Sequence, residues 1–190
     1  TNRSVDEIID LFIKKSIQTC EKSTINNKNM LFIWKQFLSD THLPGIIFHE
    51  DFIEKIKIKL NYDLDEKMFL NITSVRIPVV ASFLDFWKKN IEEDTEEPEI
   101  EIGEIACFFK KWSENNFNGV EECYLLDLIK HFYNEVNIKD DKYLIHIKYK
   151  NWDRRQIIYD CIDLYKHTMN TNNKYCSSLT HAYTYYLSYE

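Results

Sequence analysis

Glycine and proline are scarce, three of each in 190 residues. So few turn formers argue against a many-stranded sandwich. They also leave no room for a glycine-rich phosphate loop, so ATP chemistry by this chain is not expected. The five cysteines (Cys20, Cys107, Cys123, Cys161, Cys176) are odd in number and none stands at CxxC spacing, and the six histidines are scattered. That excludes a disulfide framework and a zinc site. There is no hydrophobic leader and no apolar run of 18 residues. A membrane anchor is therefore not expected, and a reducing, soluble, intracellular setting (cytoplasm or nucleus) is. The start at Thr1 reads as a processed product or a piece of something longer.

What the chain does have is apolar material, 44% hydrophobic and 15% aromatic, enough for a core. Long stretches of 3.6-type periodicity with a few alternating ones predict an α-rich α+β protein. Its charge of −7 is unevenly spread. Glu92–Glu104, EEDTEEPEIEIGE, holds eight acids and no base, leaving the remainder with about one net positive charge.

The sequence also repeats itself with a period near 75. IWKQF at 33–37 aligns with FFKKW at 108–112, DEKMFLNI at 65–72 with DDKYLIHI at 140–147, and LDFWK at 84–88 with IDLYK at 162–166. Each copy reads as helix, helix, hairpin, helix, which predicts tandem duplicated winged-helix-like units with flanking N- and C-terminal helices. The expected organisation is 1–28 as N-terminal helix and loop, 29–91 as unit 1, 92–101 as an acidic linker, 102–169 as unit 2, and 170–190 as loop and C-terminal helix. Ser4 and Glu7 form a capping-box pattern, and Asp153 is placed to cap the helix that follows it. Thr19–Lys28 reads as a loop by composition.

No catalytic constellation is legible. No serine stands in GxSxG, and Asp63-Leu64-Asp65 reads as a turn more readily than as a metal-binding pair. His131, among Leu128, Ile129 and Phe132, reads as a half-buried, hydrogen-bonded histidine. The aromatics Trp34, Phe37, Phe83, Trp87, Phe109, Trp112 and Tyr165 recur at helical spacing, so they are expected in the core; base stacking is the alternative. Neither a cofactor nor a metal is expected.

The stretch KYLIHIKYKNWDRR at 142–155 alternates, which directs Tyr143, Ile145, Ile147 and Tyr149 inward. Its outward Lys148, Lys150, Arg154 and Arg155, with Trp152 interleaved, make the best candidate for phosphate and base contact. The same cations also suit a solvated face with Trp152 in the core. Lys55, Lys57 and Lys59 form a second candidate, on the helix where winged-helix proteins read DNA, although alternate positions do not share one helix face.

FLDFWKKN, then the acidic segment, then EIGEIACFFKKWSENN before a helix and hairpin, resembles the region after the ATPase core in poxvirus-type primase-helicases of large DNA viruses. The resemblance spans roughly Phe83–Tyr149. It implies a non-catalytic accessory module of viral replication machinery, acting within the infected cell or its viral factory, with the motor elsewhere. Its partners would be nucleic acid, bound weakly, and other protein subunits of that machinery. The alternative is a protein-protein interaction scaffold with no nucleic-acid contact, in a transcription, translation or replication complex.

Overall fold

The computed structural model describes residues 4–45, 47–96, 99–150, 154–171 and 179–189, with backbone alone at 154–157, 168–171, 179 and 189. Among these residues it is an α+β protein of eight helices and small antiparallel sheets. The chain divides into two compact units, Thr1–Ser82 and Phe83–Glu190.

The first unit runs α1 (Val5–Ser16), β1 (Gln18–Asn26), α2 (Asn27–Asp40), α3 (His49–Lys59), β2 (Tyr62–Asp63) and β3 (Met68–Thr73), and ends in the first turns of α4 (Ile77–Asn90). Local chemistry sets the helix starts. Ser4 Oγ accepts from the Glu7 N–H while Glu7 Oε2 accepts from the Ser4 N–H, closing the capping box of α1. Asn26 Oδ1 caps α2 by accepting from the Asn29 N–H at 2.8 Å. The apolar faces converge on an aromatic cluster in which Trp34 and Phe52 stack at 4.3 Å and Phe12 meets both edge-on. Asp63 forms a turn, its Oδ1 accepting from the Asp65 and Glu66 N–H groups.

Thr19–Lys28 is not a loop: most of it is β1, the edge strand of a sheet ordered β1-β3-β2. The strand is polar because, among its nine residues, Ile25 alone is buried. An edge strand facing solvent needs no alternating apolar pattern, so composition alone conceals it.

The second unit contains the rest of α4, then β4 (Ile91–Glu93), β5 (Glu99–Glu101), α5 (Ile102–Trp112), α6 (Glu122–Phe132), β6 (Asn137–Lys139), β7 (Tyr143–Ile145), β8 (Ile147–Tyr149), α7 (Arg154–Thr171) and α8 (Leu179–Tyr189). Its sheets are ordered β5-β7-β6 and β4-β8. The two ends of the segment read as a solvated acidic linker, 92–101, thus belong to strands, Glu92 and Glu93 to β4 and Glu99–Glu101 to β5. Buried Ile91 and Ile100 anchor them, and the register sets Glu92 opposite Lys148. Paired against lysine, the acids no longer repel one another out of a strand. Glu97 and Pro98 lie outside the described residues.

The first unit therefore opens with a helix and one strand, and the second with a helix and two strands, before the two helices and the hairpin, not with the two helices directly. The pair Ile25↔Phe69 in the first unit and the pair Ile100↔Leu144 in the second differ by 75 in both members. Asn71 and His146, also 75 apart, both adopt positive φ, 56° and 59°. At each, the strand takes an extra step. Phe69 and Ile72 are consequently both buried, as are Leu144 and Ile147, at a spacing of three where an unbroken strand would give two. The expected inward set is corrected accordingly: Ile147 is buried and Tyr149 half-buried, but on β7 it is Leu144 that is fully buried, with Tyr143 and Ile145 only partly so.

Of the aromatics expected in the core, Trp34, Phe37, Phe83, Trp87 and Phe109 are buried and Trp112 and Tyr165 are half-buried. The buried rings are not available to stack on bases. His131 is half-buried and lies edge-on to Phe132.

Candidate interaction surfaces

The basic residues singled out for phosphate contact are, where described, each held by groups of their own unit. In the first unit Lys55 Nζ lies 3.1 Å from Asp6 and Lys59 Nζ 2.7 Å from Asp10, so these two, one turn apart, both face α1. Lys57 points elsewhere, to Glu54 at 2.7 Å and over the Tyr62 ring at 4.8 Å. Hydrogen bonds to Glu54 and Asp10 raise the pKa of Lys57 and Lys59 respectively. The three lysines do not form a joint face.

In the second unit Lys148 is gripped by two acids of the acidic segment, Asp94 Oδ2 at 2.5 Å and Glu92 Oε1 at 3.4 Å. The hydrogen bond that Lys148 donates to Asp94 is the main cause that raises its pKa. The Asp94 N–H donates to the His146 carbonyl at 2.9 Å, which fixes the segment beside the lysine. Lys150 Nζ donates to the Lys88 carbonyl at 3.3 Å, and the Lys150 N–H donates to the Asn90 carbonyl at 2.7 Å. Trp152 and Asp153 lie outside the described residues, and Arg154 and Arg155 are described as the first backbone positions of α7 only.

A second surface, not anticipated from the sequence, forms where α7 and α8 meet the start of α5. Glu101 and Glu104 close a capping box there, and Glu104 Oε2 accepts from the Glu101 N–H at 2.9 Å. Glu104 is a buried carboxylate whose other oxygen accepts from the Tyr186 hydroxyl at 3.0 Å. Glu101 accepts from the Tyr183 hydroxyl and pairs with Lys142. The Cys107 thiol donates to the Leu187 carbonyl. The two acids are thus the polar anchor of α8. Gly103 lies close beneath them: a Cβ there would lie 3.2 Å from Glu122 Oε1 and 3.3 Å from the Tyr183 hydroxyl, so these side-chain ends would have to give by a few tenths of an ångström.

Between these elements lies a cavity of about 280 Å³, lined by Ile158, Cys161, Ile162 and Tyr165 of α7, Ala182, Tyr183 and Tyr186 of α8, and Glu101 and Glu104. Tyr165 joins the two helices through a 2.9 Å hydrogen bond to His181 Nδ1 and an edge contact with Tyr185. Ile162, in that lining, is 41% exposed. The E-x-x-E pattern before an apolar helix was the available signal for Glu101 and Glu104. It was obscured by the run of other acids around it.

Burial, and then the hydrogen bond to Glu101, raise the Tyr183 pKa well above its ordinary value near 10. A folded value above the unfolded one means that this hydroxyl contributes fully below about pH 10 and loses its contribution as pH rises further. Urea midpoints measured from pH 8 to pH 11 should therefore fall less steeply above pH 10 in Tyr183→Phe than in the wild type. Parallel curves would remove Tyr183 from the alkaline transition.

No protein-family model, curated protein or solved structure matches this chain. Among the described residues no helix is long and apolar enough to cross a membrane, and no group of three or more His, Cys, Asp or Glu side chains could hold a metal ion.

Proposed function

We propose that the chain is a non-catalytic, tandem winged-helix-like module that docks protein partners and does not read nucleic acid. The observation that carries this reading is the pairing of Lys148 with Glu92 and Asp94. The cation best placed for a phosphate already has two carboxylates from its own unit, and Lys55 and Lys59 are matched in the same way. A phosphate would have to displace them, and would bring no net counterion release at a site already neutralised.

The winged-helix part rests on the order helix, strand, helix, helix, strand, strand in the first unit, which the second follows with an added strand on either side of its two helices (β4 and β8), and on sheet orders β1-β3-β2 and β5-β7-β6, which join the hairpin to an earlier strand. The resemblance of Phe83–Tyr149 to poxvirus-type primase-helicases supports work within a replication assembly of a large DNA virus, whose motor would be another domain or chain. Exposed aromatic and aliphatic residues on α7, including Tyr159 at 66%, supply the anchors that protein interfaces favour.

One observation favours a second reading. Glu92 and Asp94 sit where they would act as an internal competitor for phosphate, which describes an acid-gated nucleic-acid site. The double variant Glu92→Gln, Asp94→Asn separates the two, compared with Glu66→Gln, Glu114→Gln at exposed acids elsewhere. For protein docking, both variants should bind a labelled oligonucleotide equally poorly at low salt. A gain of tenfold or more in the first variant alone would establish the gate and overturn the proposed function.

A further inference from the structure

The core of the second unit is built from α4 to β8. Phe83 and Phe86 of α4 meet Phe109 of α5 at 5.3 and 5.5 Å, and Phe108 of α5 stacks on Tyr149 of β8 at 4.3 Å. Its strand pairs, β5 and β6 on β7 and β4 on β8, lie within the same stretch of chain. The start of α5 carries its own cap, because Glu101 and Glu104 form the capping box and Lys142 pairs with Glu101. None of these contacts involves α7 or α8.

The last two helices are held differently. Among the side chains described in them, 158–167 in α7 and 180–188 in α8, only Cys161 is buried. The shorter α6, by contrast, buries Leu125, Leu126, Leu128, Ile129 and Phe132. α7 packs chiefly on α8, and α8 on α5. Tyr165 ties α7 to α8 through its 2.9 Å hydrogen bond with His181 and its edge contact with Tyr185. On α5 the anchors of α8 are polar: Tyr183 donates to Glu101, Tyr186 to Glu104 at 3.0 Å, and the Cys107 thiol to the Leu187 carbonyl at 2.8 Å.

Hydrogen bonds of this kind are exchanged for bonds to water at small net cost, unlike buried apolar surface. Glu104, buried beneath α8, would also regain hydration once the helix left. Eleven residues rich in Thr, Tyr and Ser do not hold a helix alone, so α8 keeps its form by staying on α7. The weakest seam of the unit therefore runs between α8 and α5.

We propose that α7 and α8 form a detachable arm that leaves α5 as one piece while residues 83–149 stay folded. Its release opens the cavity of about 280 Å³, frees the Cys107 thiol and bares Ile158, Cys161 and Ile162, which share one face of α7. The inference goes beyond the protein-docking reading and does not depend on it.

Hydrogen exchange of the full chain under native conditions, read by peptide mass spectrometry together with iodoacetamide labelling of each cysteine, tests the arm. Amides of α7 and α8 should exchange together, about a hundredfold faster than those of α5 and α6, with Cys107 and Cys161 labelled in step. The double variant Tyr183→Phe, Tyr186→Phe should speed both readouts about tenfold further and leave the protection of α5 and α6 unchanged. Tyr133→Phe, which removes a hydroxyl that donates to the Leu84 carbonyl elsewhere in the unit, should change neither readout. Exchange of α7 and α8 no faster than that of α5 and α6 overturns the inference, as does release of α8 while α7 keeps the protection of α5. A double variant that fails to fold, or that exposes α5 and α6 as much as α8, also overturns it, because the body would then depend on the arm.

Discussion

Phe52→Ala should destabilise the first unit by about 3–5 kcal/mol, the range for truncating a fully buried aromatic ring. Phe52 has no exposed surface, stacks on Trp34 at 4.3 Å and meets Phe12 at 5.6 Å. Its removal leaves two large rings facing a void that small shifts cannot close. Ile58→Ala on the same helix provides the contrast. Ile58 is 87% exposed, so its loss should change stability by no more than about 0.5 kcal/mol. Urea denaturation followed by far-UV circular dichroism measures both. Similar shifts for the two variants would mean that the aromatic cluster is not the core of the first unit.

Leu144→Ala should cost the second unit about 2–5 kcal/mol, while Ile145→Ala, one residue on, should cost about 1 kcal/mol. Leu144 is fully buried on β7 and pairs with Ile100 across the sheet; Ile145 is half-buried. Simple alternation along 143–149 gives the opposite order, with Ile145 as the core residue. The two variants therefore test whether the step at His146 is present in solution. A larger loss for Ile145→Ala would place β7 in the other register.

That example shows why some of the architecture was legible in the sequence and some was not. Helical periodicity and caps are local, so Ser4 with Glu7, the apolar face of α2 and the first turn of α4 at Pro78 could be read directly. The period of 75 survived because both copies bury equivalent residues, such as Ile72 and Ile147. The extra step at Asn71 and His146 left no mark, because neither residue is a glycine and positive φ is tolerated by several polar side chains. Strand β1 was hidden by its polarity. The strands of the acidic segment were hidden because lysines distant in sequence, Lys142 and Lys148, neutralise them.

The candidate site was legible only as a collection of charges. Lys55, Lys59 and Lys148 were visible as cations, but their partners Asp6, Asp10, Glu92 and Asp94 are supplied by other elements. A surface that counts as basic along the chain is close to neutral once folded.

The most direct test of protein docking without nucleic-acid contact is a titration of labelled single- and double-stranded oligonucleotides with the wild-type chain at about 20 mM salt, repeated as salt is raised. With Lys55, Lys59 and Lys148 held by carboxylates, no saturable binding should develop up to about 100 μM protein, and no salt-dependent component should emerge. Saturable binding whose log K falls against log salt with a slope of about −3 to −4 would mean that roughly four cations reach phosphate, which would contradict it.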